Sequence, residues 1–146
     1  MPAKHRSRKK TTPSFLDGLA VLLRERYPNA PRWFIDLPPS AESYGDPPEV
    51  VVEQNEDEVR VSRFEQDWPH PHEPVVNPVL LGSVRWQELA PAVALELCRL
   101  LIDEASRQRR ASFRMCRYCG RTLGPEHMHT NDVCQGCAER YLGVVH

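Results

Sequence analysis

Four of the five cysteines in this 146-residue chain stand as two pairs, Cys116-Arg117-Tyr118-Cys119 and Cys134-Gln135-Gly136-Cys137. Two residues between cysteines let a tight turn aim both sulfurs at one point. Two such turns supply the four thiolates that tetrahedral Zn²⁺ takes in a closed structural site. The spacing therefore predicts Cys116, Cys119, Cys134 and Cys137 as ligands of a structural zinc. Iron is the alternative ion, and closed tetrahedral thiolate sites favour zinc. A saturated zinc has no open position for chemistry, so the motif speaks first to folding. An odd cysteine count argues against a disulfide scaffold.

Gly120 directly follows the first pair, and the second pair runs into Ala138-Glu139-Arg140-Tyr141-Leu142 and then Gly143. The pattern reads as a knuckle closed by a residue without a Cβ, a short hairpin, and a second knuckle opening a short helix with a glycine stop. On these residues, segment 113–146 resembles the treble-clef class of zinc fingers. That resemblance implies a small metal-built fold used in nucleic-acid binding, protein docking and some nucleases. Arg117 and Arg121 then help offset the net charge of about −2 on a zinc held by four thiolates. Residues 1–112 resemble no family.

His127 and His129 lie between the pairs, and Glu126-His127 with Asn131 matches the His-Me nuclease pattern in residue type. Its spacing does not match, since such sites need a longer hairpin and a residue beyond the last cysteine. A metal-dependent nuclease is thus the remote alternative to a protein without catalytic residues. His70 and His72 are interleaved with prolines in an extended loop, and two histidines two residues apart do not close a metal site. Cys98 sits in an apolar stretch and reads as a buried core thiol. No glycine-rich phosphate loop, serine-centred elbow or paired catalytic carboxylates occur.

The formal net charge of −1 conceals three blocks. Residues 1–10 hold five basic groups and no acid, residues 36–74 hold eleven acids against Arg60 and Arg63, and residues 107–146 hold seven arginines against three acids. Candidate nucleic-acid contacts are Lys4, Arg6, Arg8, Lys9, Lys10, Arg107, Arg109, Arg110, Arg114, Arg117 and Arg121, with Phe113 and Tyr118 placed to stack on bases. The acidic middle repels a phosphate backbone unless it faces away, and is equally suited to docking a protein.

The elements that must position these groups are short. Fourteen prolines and a mean hydropathy of −0.54 imply long irregular connections. Residues 1–12 read as a disordered basic tail. A helix is expected from Ser14 to Tyr27, capped by Ser14 and ended by Pro28. Trp33-Phe34-Ile35 reads as a short buried strand. Glu49 to Glu53 and Glu58 to Phe64 read as a β-hairpin with one wet, acidic face. Residues 66–79, broken by prolines, read as an irregular loop. A second helix is expected from Ala90 to Arg109, with Val93, Leu97, Leu100, Leu101 and Ala105 as its apolar stripe.

The expected fold class is therefore α+β. A small domain of two helices and a β-hairpin (residues 13–110) precedes a four-cysteine, treble-clef-like finger (residues 113–146). No stretch reaches the length of a membrane span, no secretory signal is apparent, and reduced thiolates fit a cytoplasmic setting. The function class is a small zinc-binding adaptor without catalysis, with nucleic acid as a candidate partner. A protein-interaction module using the acidic hairpin domain is the alternative.

Overall fold

The computed structural model describes residues 14–70 and 73–145, with only the main chain of His70. The basic tail and His72 lie outside these residues. The described residues form a mixed α+β structure of three α-helices and several small antiparallel sheets.

Helix α1 (Phe15–Arg26) starts where the Ser14 hydroxyl accepts from the Asp17 N–H at 3.1 Å, satisfying one of the donors a helix start leaves unpaired. It buries Phe15, Leu19 and Leu23. Strands β1 (Ala41–Tyr44), β2 (Val50–Gln54), β3 (Val59–Arg63) and β6 (Val79–Val84) form one sheet in the order β1-β2-β3-β6. The expected hairpin is β2 and β3, in a register that sets Gln54 opposite Val59. Its turn is tied by Asn55 Oδ1, which accepts from the N–H groups of Asp57 and Glu58, each at 2.9 Å.

The sheet separates two apolar clusters. Val50, Val52, Val59, Val61 and Val84 meet α1 and the long helix α2 (Pro91–Arg110). On the opposite face Ala41, Val51 and Phe64 pack with Leu37 and Val76. The expected wet, acidic face is partly used in this way, and its polar remainder holds Arg60 within 3.8 Å of Glu53 and 3.4 Å of Glu58.

Three expectations are corrected. Residues 66–79 contain an antiparallel ribbon, β4 (Gln66–His70) with β5 (Glu73–Val76), instead of a structureless loop. Its prolines are tolerated because a two-stranded ribbon has an outward edge that needs no N–H. Trp33-Phe34-Ile35 is no buried strand: Trp33 is 52 % exposed and Ile35 85 %, and Arg32 alone makes a bridge, to Ser43 of β1. Finally, α2 turns a different face inward. Val93, Leu97 and Leu100 are exposed, while Ala94, Cys98, Ile102, Ala105, Ser106 and Arg109 are buried. Small side chains on that face let α2 lie close on β3 and β6. Gly82 admits Leu101, whose Cδ2 would lie 3.0 Å from any added Cβ.

Candidate metal centre and the adjoining cleft

The cysteine segment is built from two small hairpins and a helix. Strands β7 (Arg114–Met115) and β8 (Thr122–Leu123) pair in register around the first knuckle. Between them the chain turns tightly: Gly120 adopts φ +74°, its N–H reaches the Cys116 carbonyl at 2.8 Å, and the Cys116 N–H reaches Arg121 at 2.9 Å. That positive φ is what a residue without a Cβ provides. Strands β9 (Met128–Thr130) and β10 (Val133–Cys134) then carry the chain into α3 (Gln135–Leu142). Cys134 is the N-cap of α3 and its sulfur accepts from the Cys137 N–H at 3.4 Å; Gly143 closes the helix at φ +68°.

These turns bring the four predicted ligands together. The sulfurs of Cys116, Cys119, Cys134 and Cys137 lie within 4.8 Å of one another. A tetrahedral ion with ligand bonds of about 2.3 Å needs sulfurs about 3.8 Å apart, and Cys119 and Cys134 stand at 3.9 Å. Three of the four are buried and Cys119 is exposed. Burial opposes ionisation of Cys116, yet the surrounding backbone N–H donors bring its thiol down to about 6. Burial and the neighbouring sulfurs push Cys137 up to about 12, the repulsion a divalent cation would relieve. Apart from the cysteines, the local core is only Val133 and Ala138, flanked by Leu123, Met128 and Val144. So small a core holds little without a cross-link. The donor set and its geometry fit a four-thiolate metal centre.

The segment is tied to the rest of the molecule by a pair that sequence reading did not find. Arg109, the last buried residue of α2, is fully buried. It meets the Glu126 carboxylate twice, Nη1 to Oε1 at 3.0 Å and Nη2 to Oε2 at 2.6 Å. Its Nε donates to the Pro48 carbonyl at 2.9 Å, and its guanidinium lies over Phe64 and Phe113. Glu126 is held from behind, its carbonyl accepting from Trp68 Nε1 at 3.0 Å and Gln135 Nε2 at 3.2 Å. A signal for Arg109 existed: it continues the 94, 98, 102, 105 stripe at helical spacing.

The other candidate phosphate contacts are dispersed. Lys4, Arg6, Arg8, Lys9 and Lys10 lie outside the described residues. Arg109 is buried against Glu126 and presents nothing to solvent, which corrects its place in that set. Arg107 pairs with Glu104, Arg110 with Glu49 at 2.9 Å, and Arg117 approaches Asp132 at 3.8 Å. Arg114 donates to the carbonyls of Ala111 and Phe113. Phe113 is half-buried under Arg109, whereas Tyr118 is exposed and stacked on Tyr141, with ring centroids 5.1 Å apart. His127 stands edge-on to Trp68 and is not among the clustered ligands, and Cys98 is buried with its thiol pushed up to about 11.

A cleft runs between the cysteine segment on one side and, on the other, residues 32–36, the β1–β2 loop and the β4–β5 ribbon. Two hollows share Arg32, Pro48 and His127 and so form its two ends. One end is lined by Phe34, Ile35, Trp68, Pro74 and Val76; the other by Arg121, Gln135 and Asp46. Phe34 packs on Phe64 and carries the Arg32 guanidinium 4.8 Å above its ring. None of the described helices is long and apolar enough to cross a membrane. No family model matches the chain, and neither a curated protein nor a solved structure does.

Proposed function

We propose that the chain is a zinc-dependent adaptor without catalysis, which holds a segment of a partner protein in the cleft between its β4–β5 ribbon and its cysteine segment. In this reading Cys116, Cys119, Cys134 and Cys137 hold a structural Zn²⁺ in a treble-clef-like finger, in a reducing compartment such as the cytoplasm. The ion fixes the shape of the 120–133 loop; Glu126, Trp68 and Arg109 seat that loop, and the seated loop walls the cleft.

The observation that carries the reading is the composition of the cleft. Trp68 is 40 % exposed although its indole N–H is already committed to the Glu126 carbonyl. A large ring held in place and left open, beside arginine, is what protein interfaces use as an anchor. Lysate from native cells, with a photo-crosslinking residue in place of Ile35, tests the proposal. The expected result is a discrete protein adduct, lost on chelation and absent when the probe replaces Glu25 on α1. Equal labelling from both positions would overturn it.

Nucleic acid is the second reading, supported by Tyr118 and Tyr141. Both are exposed, and Arg117 and Arg140 lie over their rings, a grouping suited to base stacking with phosphate contacts. A mobility shift that steepens as salt is lowered would favour it; no shift at low salt would remove it.

A further inference from the structure

We infer that the cleft takes a proline-rich segment in the polyproline II conformation. This rests on the protein-adaptor reading and names the kind of segment bound.

The argument starts from what the walls offer. The apolar part of the lining is mostly rings and proline: Phe34, Trp68, Pro48 and Pro74. The same lining holds residues with side-chain donors, Arg32, Gln66 and His127. A polyproline II chain makes no internal hydrogen bonds, so its carbonyls are free to accept from such donors, while its pyrrolidine faces lie against aromatic rings. Its low conformational freedom also keeps the ordering cost of binding small.

Other occupants fit less well. An added β-strand needs main-chain donors and acceptors, and the ribbon forming this wall carries Pro69 in β4 and Pro74 in β5, each of which lacks an N–H. A bound helix has its backbone already satisfied and needs apolar walls throughout, whereas this cleft mixes rings with polar groups. A polyanion meets an unfavourable balance. Arg32 and Arg121 share the cleft with Asp36 and Asp46, and the Glu126 charge is already answered by Arg109. So balanced a lining selects a neutral or weakly charged segment. Ile35 completes the case: an isoleucine 85 % exposed at the rim contributes nothing to the core, and fits the role of an apolar contact for a ligand.

Fluorescence anisotropy of the full, zinc-loaded chain provides the test. The labelled probes are deca-proline, a proline-leucine decamer with one arginine, an alanine-rich helical peptide, a glycine-serine decamer and a twelve-nucleotide oligothymidine. Saturable binding of either proline-rich probe is expected, at least about tenfold tighter than the helical and glycine-serine peptides. Ile35→Glu, at an exposed position that leaves the fold intact, should weaken it about tenfold, and Trp68→Ala should abolish it. Preference for the helical or glycine-serine peptide would overturn the polyproline inference and leave the adaptor reading standing. Binding of oligothymidine alone would overturn both. Failure of both proline-rich probes to bind, or binding indifferent to Ile35→Glu, would also end the inference.

Discussion

Arg109 and Glu126 form a two-pronged ion pair with side chains 0 % and 2 % exposed, linking the end of the long helix to the loop between the two cysteine pairs. The charges are stabilised by fixed partners instead of water: Pro48, Phe64 and Phe113 around the guanidinium, and the loop around the carboxylate. Removing one partner strands the other charge in the interior. Glu126→Ala and Arg109→Ala should each destabilise the protein by about 3–5 kcal/mol. The double variant Arg109→Met/Glu126→Leu should cost far less than the sum of those losses. Urea unfolding of all three variants checks this, and additive losses would show that the two groups do not act as a pair.

The same pair explains Gly124. A Cβ at this position would collide with the Glu126 carboxylate and the Arg109 guanidinium. Both are buried, the guanidinium is also tied to the Pro48 carbonyl, and the Glu126 main chain is fixed by Trp68 and Gln135, so neither has room to swing away. Gly124→Ala should therefore destabilise by about 1–3 kcal/mol, the usual penalty for overpacking. Gly136→Ala, where an added Cβ meets nothing within 4 Å, is the matched control. Equal melting temperatures for the two variants would contradict the argument.

Metal removal should act first on the C-terminal segment. One zinc per chain is expected, and Cys→Ser at 116, 119, 134 or 137 should abolish it, while Cys98→Ala should leave it intact. Zinc binding by such motifs is worth about 10–16 kcal/mol, far above what the residues around Val133 and Ala138 supply. Chelation should thus remove the order of residues 114–145 and release Glu126, with α1, α2 and the four-stranded sheet persisting. Amide exchange with and without chelator measures it. Protection unchanged across the segment would contradict a metal-built fold.

What was legible in the sequence depended on how local the cause was. The Ser14 cap, the hairpin turn between Glu53 and Glu58, and the cysteine knuckles are settled within a few residues, and each was readable. The second helix had legible ends but an illegible face. Leucine at 97 and 100 looks more core-like than alanine at 94 or serine at 106, yet close approach to the sheet selected the small side chains. Prolines at 69 and 74 suggested a loop, because a ribbon with one free edge cannot be told from a loop by composition. The Arg109–Glu126 pair joins residues seventeen positions apart. Only the docking of the cysteine segment makes either a buried residue, so charge patterning alone assigned Arg109 to the surface.

Tyr44 provides a test of the main core that is independent of metal. Its ring is 8 % exposed, and burial, with the Glu42 carboxylate nearby, pushes its hydroxyl up to about 12. Tyr27, bonded to Ser106 and likewise buried, is raised in the same direction. In the unfolded chain a tyrosine ionises near 10. Below pH 10 both states keep the proton, so these groups leave stability unchanged. Between pH 10 and 12 the unfolded chain loses protons that the native state retains, which favours unfolding. Each unit of difference is worth about 1.4 kcal/mol, so Tyr44 alone should remove ~2 kcal/mol across this window. Tyr44→Phe should flatten the fall in urea midpoint between pH 9.5 and 11.5 without eliminating it, since Tyr27 still contributes. If the variant falls as steeply as the parent, the Tyr44 hydroxyl is not the group that burial protects.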